Sequence, residues 1–418
     1  MITSKRFIRI VRLTSLVALK LIALVSILVS VRVEAQQAQK ASAPNGVFAI
    51  RNARIVTVAG PEIENGILVI GNGRIEAVGA AVPIPAGAQV VEGRGLTIYP
   101  GMIDIGTSLG LVEISAGAPG TVDLSEIGEM NPNAQAIIAV NPHSEHVAVT
   151  RVSGVTSVAT LPAGGIISGQ AALINLNGTT PGEMALVRSA ALVVNLPRVI
   201  APSDSFSFSQ PQQTPNIPEA TAARDRQLDG LRKMLRDAEA YGRAQDAYLQ
   251  NGSLPRPSSD VRLAALVPFA RGERPVILRA DREAEVRAAV RFADEMKLRP
   301  IILGGNDAWK AAPLLKERDV PVVLTGTLDL PLHEDDNYDT LYENAAKLQR
   351  AGVRFCISTG DSGAHVRDLP YHAGMAAAFG LTREEALRAV TLYPAQIMNA
   401  ADRVGSIAPG KIANLVVT

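Results

Sequence analysis

The chain has 418 residues, with 41 Lys and Arg against 40 Asp and Glu, five His, a single Cys and 47% apolar residues. That length allows a large single domain or two to three domains with a sizeable core, and the apolar fraction excludes low complexity, a collagen-like chain and wholesale disorder. One Cys rules out a disulfide framework and a Cys-rich zinc site, and the near-neutral charge balance argues against nucleic acid as a partner.

Residues 1–35 read as a secretory leader. Lys5, Arg6, Arg9 and Arg12 precede an apolar run from Leu21 to Val31, and Val33-Glu34-Ala35 supplies a small-residue cleavage pattern. Its removal leaves 35 basic against 39 acidic groups, so the mature chain is expected to be periplasmic or secreted with a net charge of −4. The rival reading is an uncleaved anchor over Leu13–Val31, with Lys20 inside it and Arg32 just beyond. In either reading the leader is the sole membrane contact expected.

Residues 47–99 alternate apolar and polar positions in short runs, as in Phe48–Val58 and Gly66–Ile70. Asn72-Gly73 marks a hairpin, because both residues tolerate positive φ. This small all-β unit buries little alone and is expected to borrow strands from elsewhere.

Beyond Pro100, strand-like runs are expected at Met102–Ile105, Val155–Thr160, Ala171–Leu176 and Ala190–Leu196, the middle ones open to a hairpin reading. Ala201–Pro218 reads as an exposed loop, and Glu219–Leu249 as a long charged helix inserted at the surface, with Leu228, Leu231, Leu235 and Ala238 on one stripe. A strand–helix alternation follows. Pro275–Leu278, Pro300–Leu303, Val320–Leu324 and Arg354–Ser358 read as strands, and Arg282–Lys297, Asp307–Arg318 and Tyr338–Ala351 as helices. Thr382 and Glu385 form a capping-box pattern. Such units imply parallel pairing, and eight strands favour a closed barrel, so the expected class is α/β.

Three stretches resemble the amidohydrolase superfamily, in its imidazolonepropionase-like flavour. Tyr99-Pro100-Gly101-Met102-Ile103-Asp104 resembles the junction into barrel strand one. Thr391-Leu392-Tyr393-Pro394-Ala395 resembles the Thr-x-x-Pro-Ala helix. Gly405-Ser406-Ile407-Ala408-Pro409-Gly410-Lys411 resembles the turn back to the β-sandwich. The resemblance implies a TIM-like (β/α)8 barrel over residues 100–400, with 201–250 as an inserted loop and helix. It also implies a β-sandwich from 47–99 and 401–418 that is incomplete at the C-terminus. The implied activity is metal-dependent hydrolysis of carbon–nitrogen bonds, non-peptide or cyclic amides, with a divalent metal such as Zn acidifying a water.

The metal-ligand positions carry other residues. Gly106 and Ser108 stand in the His-x-His pair, Arg279 at the strand-five His and Gly304 at the strand-six His, while Asp361 matches the strand-eight acid. Gly offers no ligand atom and Arg repels a cation, so no cofactor is expected with assurance. A pairing of Arg279 with Asp361, in place of the metal, is the electrostatic substitute expected.

His365 and His372 follow strand eight and join Asp361 and Arg279 as candidate catalytic groups. Asp307, Trp309 and Glu113 are candidate ligand-binding groups at the same barrel mouth, with Trp309 also open to a packing role. His143, His146 and His333 are expected on solvated loops, and Cys356 in the core. Gly360-Asp361-Ser362-Gly363 looks like the trypsin-like nucleophile motif, but the α/β context excludes it. Two readings stand: an exported amidohydrolase, or a metal-free, catalytically inactive descendant that binds a small molecule or an envelope protein. The expected partner is a small molecule, with a homo-oligomer left open.

Overall fold

The computed structural model describes residues 46–114, 118–198, 217–360 and 363–418. The leader, most of the expected 201–218 loop and Asp361 lie outside these.

The N-terminal strands are β1 (Phe48–Ile55), β2 (Ile63–Gly71), β3 (Arg74–Gly79), β4 (Gln89–Glu92) and β5 (Thr97–Pro100). The hairpin falls where Asn72-Gly73 places it: Gly71 pairs with Arg74, and both turn residues have positive φ. Strand β14 (Leu415–Val417) pairs antiparallel with β5, so the borrowed strand comes from the far end of the chain. Ala53, Ile55, Leu68, Ile75 and Ile98 make the buried side of this mixed sheet, joined by Ile407.

The second sheet has eight strands in sequence order: β6 (Met102–Thr107), β7 (Val155–Thr160), β8 (Ile167–Asn175), β9 (Ala185–Val194), β10 (Pro275–Ala280), β11 (Arg299–Gly304), β12 (Val322–Leu324) and β13 (Phe355–Ile357). Alternation along each strand divides the core in two. Ile277, Ile301, Leu303, Val323 and Cys356 belong to one cluster, inside the barrel. Val276, Leu278, Ile302, Val322 and Ile357 belong to the layer beneath the helices.

The middle strands take the hairpin form that the sequence left open. Strand β8 runs antiparallel to both β7 and β9. Residues 161–166 and 176–184 are too short for the crossover of roughly a dozen or more residues that parallel neighbours need, so this part of the barrel is a meander.

The barrel is nearly closed. Among the described residues no ladder joins β13 to β6, and the buried Asp104 carboxylate spans the seam instead. Its Oδ1 accepts from Ser358 Oγ and from Gly106 N (3.0 Å), and its Oδ2 from Thr359 N (3.0 Å) and Thr359 Oγ1 (2.6 Å). Four donors compensate a fully buried charge that would otherwise be costly.

The helix at Ile217–Gln250 is longer than expected, and the apolar stripe read from the sequence packs it onto the helical layer. Leu231, Leu235 and Ala238 are buried in the main cluster with Leu266 and Phe269 of the helix Val261–Ala270. The Thr382 cap holds through its hydroxyl, which accepts from Glu385 N at 3.2 Å. The Glu385 carboxylate turns instead to Tyr393 Oη (2.7 Å) and Arg388 (2.8 Å), and burial together with that acid pushes the phenol up to about 12. No helix among the described residues is long and apolar enough to cross a membrane.

Candidate functional site

The C-terminal ends of the parallel strands form the mouth where sites of this barrel type are built. Three groups of side chains gather on its loops.

The first surrounds the end of β10. Ile277 faces the interior and Val276, Leu278 and Ala280 the helices, so Arg279 points inward at the rim, half-buried. Burial pulls its guanidinium below the ordinary value; Asp281 opposes that and Arg198 adds to it. Asp281 is raised by its own burial and by Glu285, against Arg198 and Arg279. Arg198 lies 3.2 Å from Glu285, which also accepts from Asp281 N at 3.0 Å. The acid side of the expected Arg279–Asp361 pair lies outside the described residues. Among those described, no carboxylate reaches Arg279 within 4 Å, and Asp281 is the acid that acts on it.

The second group joins the loops after β11 and β12. Asp307 is buried, and its Oδ1 lies 2.8 Å from Lys310 Nζ while its Oδ2 lies 3.2 Å from His333 Nε2. Lys310 also lies 3.9 Å from Asp336. Burial pushes the Asp307 carboxyl up, but the bonds from Lys310 and His333 outweigh it and hold the group below the ordinary carboxylate range. His333 is therefore not simply solvent-facing, as its acidic loop suggested. Asp307, His333 and Asp336 offer ligand atoms within 4.8 Å of one another, the spacing of a cation site. The Lys310 ammonium already supplies the cation there. Trp309 packs on the helical layer with the ammonium groups of Lys310 and Lys347 at 5.3 and 4.5 Å from its ring, which supports packing over stacking.

The third group ties the loop after β6 to the helix Glu145–Val152. Glu113 accepts from Ser144 Oγ (2.8 Å) and Asn141 Nδ2 (3.1 Å), and its backbone carbonyl meets His146 Nε2 at 3.1 Å. Its carboxylate thus serves the loop. His146 is only partly exposed, unlike the solvated residue expected, whereas His143 is exposed. After β13, the exposed His365 places Nδ1 3.1 Å from Asp368 Oδ2, and His372 is buried on the helix Leu369–Ala378.

The positions that the resemblance aligns with metal ligands are closely packed. A Cβ on Gly106 would lie 2.5 Å from Ser358 Oγ and 3.1 Å from Leu303 Cδ1. A Cβ on Gly304, whose φ is +112°, would run into the Asp281 carboxylate. Ser108, partly buried, accepts Leu111 N through its carbonyl at 3.0 Å. Asp281, Arg198, Lys310 and Ser358 were not marked by any sequence spacing. Asp281, two residues past Arg279 on the same rim, is the one that strand alternation could have flagged.

Residues 310–418 match the model described as the amidohydrolase family. The fold is similar to that of an amidohydrolase from Thermotoga maritima MSB8, with a TM-score of 0.75 and 23% identity over 88% of this chain and 93% of that one. It also resembles a molinate hydrolase (TM-score 0.53, 15% identity, 89% of each chain). A prolidase complexed with N-methylphosphonate-L-proline is similar too (TM-score 0.50, 19% identity, 89% of this chain and 92% of that one). No curated protein matches the sequence. The fold and the C-terminal match agree with the resemblance to the amidohydrolase superfamily that the three motifs carry.

Proposed function

We propose that the protein is an exported member of the amidohydrolase class that holds a small molecule with a non-peptide or cyclic amide at its barrel mouth, without the binuclear metal centre. One observation carries this reading: the chain itself fills the ligand positions. Ser358 and Leu303 crowd Gly106, the Asp281 carboxylate crowds Gly304, and Arg279 brings a permanent cation. These residues do not fit a family-type metal pair, which needs imidazoles with room around them. No hydrolytic step is routed through one. Export rests on the leader pattern of residues 1–35.

Metal-independent hydrolysis of a carbon–nitrogen bond is the second reading. It is favoured by His365, on the segment that follows β13, whose imidazole is held by Asp368 at 3.1 Å, the arrangement of a general base oriented by an acid.

The test is turnover of cyclic amides, N-acyl amino acids and dipeptides by the purified mature protein, with and without added Zn or Mn. The first reading predicts no turnover in either condition. Turnover that appears only with metal contradicts it. Metal-independent turnover lost in His365→Ala establishes the second.

A further inference from the structure

The face of the barrel opposite the mouth, at the starts of β10 to β13, carries two adjoining cavities of different character. One, of about 280 Å³, has Val353, Phe355, Tyr393 and Ile397 in its wall. The Phe355 and Tyr393 rings meet edge to face, with centroids 6.2 Å apart. Tyr393 Oη lies 2.7 Å from Glu385, whose carboxylate also lies 2.8 Å from Arg388. The acid in this wall is therefore spent within the protein, and the fixed aromatic pair offers a preorganised apolar surface. The second cavity, of about 530 Å³, shares Arg354 and Ile397 with the first and adds Arg271, Lys297, Arg299 and Arg318, against Asp319. Arg271, Lys297 and Arg318 stand at helix C-caps, where the helix dipole favours a cation. No helix end calls for the other two. Arg299 opens β11 and Arg354 immediately precedes β13, with Pro321 and β12 between them. Two strand spacings put their backbones about 10 Å apart, a gap that two Arg side chains close on a single anion. Arg354 gives Nε to Asp319 Oδ1 and Nη2 to the Asp319 carbonyl, each at 2.7 Å, and Arg299 gives Nη2 to Asn399 Oδ1 at 2.8 Å. Those bonds orient both guanidinium groups and leave further N–H donors on each. Pro275, Pro300 and Pro321 in the same wall have fixed φ and stiffen its floor.

We propose that this face binds an organic phosphate, a phosphate monoester whose flat apolar group enters the pocket beside Phe355 and Tyr393 while its oxyanion lies between Arg354 and Arg299. A phosphate presents three terminal oxygens to two guanidinium forks, where a carboxylate presents two. Lys297 adds to the attraction from the same wall. The site lies at the other end of the barrel from the mouth, so it stands or falls independently of the function proposed there.

The experiment is isothermal titration of the purified mature protein with phenyl phosphate, against inorganic phosphate, benzoate and benzyl alcohol at equal ionic strength. Expected is saturable binding of phenyl phosphate, with a dissociation constant about tenfold or more below those of the other three. Arg299→Gln and Arg354→Gln should each raise that constant about tenfold, as loss of a charge-assisted bond implies. Gln396→Trp fills the apolar pocket from an exposed position in its wall. It should bring phenyl phosphate to the level of inorganic phosphate and leave inorganic phosphate unmoved. Circular dichroism confirms folding; both arginines are exposed, and either variant decides should the other fail. The proposal is overturned if phenyl phosphate binds no better than inorganic phosphate, or if benzoate or benzyl alcohol matches it. Binding that the arginine variants or Gln396→Trp leave unchanged places the ligand elsewhere and overturns it equally.

Discussion

At the residue scale, the absence of side chains at two positions says as much as the charges do. The missing Cβ of Gly106 is space that Ser358 and Leu303 use. Ser358 cannot easily yield, because its hydroxyl is bonded to the buried Asp104 carboxylate that spans the barrel seam. Gly106→Ala should therefore destabilise the protein by about 1–3 kcal/mol, as overpacking in a tight core does. A shift in the urea midpoint at unchanged slope would check it.

At the element scale, the two loops after β11 and β12 are fastened by Asp307, with His333 and Lys310 as the clasps. His333→Ala removes one hydrogen bond, about 0.5–1.5 kcal/mol, and should speed limited proteolysis within residues 325–343 roughly two- to tenfold. The pH dependence has a definite sign. A carboxyl held below its ordinary value in the fold stabilises the protein fully above the ordinary carboxylate range, and that contribution is lost as pH falls through the depressed value. The midpoint difference between wild type and Asp307→Asn should accordingly be largest near neutrality and shrink on acidification.

Strand and helix positions were largely legible at this scale. Asn72-Gly73 set its hairpin, and the apolar stripe of residues 283–296 set its helix, because both signals are local. The direction of β8 was not legible, since a fully buried run such as Ile167–Ile174 reads the same whichever way it points. The Asp307–His333 contact joins residues 26 positions apart on separate loops, and no spacing rule encodes that. The burial of the long helix was half visible. Its Leu231–Leu235–Ala238 stripe was read, but its partner helix at Val261–Ala270 was not.

On the scale of the whole molecule, the barrel interior is organised around three features: the Asp104 seam, the rim guanidinium of Arg279 and the packed glycines. The flanking motifs suggested a register for Gly106 and Gly304 in the sequence, whereas the close packing around both glycines needed the third dimension. The most direct test of the account is the metal content of the purified mature protein after exposure to excess Zn and Mn and removal of loosely bound ions. The account predicts well below one equivalent of either metal. One or two tightly held equivalents, lost on mutation of residues lining the barrel interior, would contradict it.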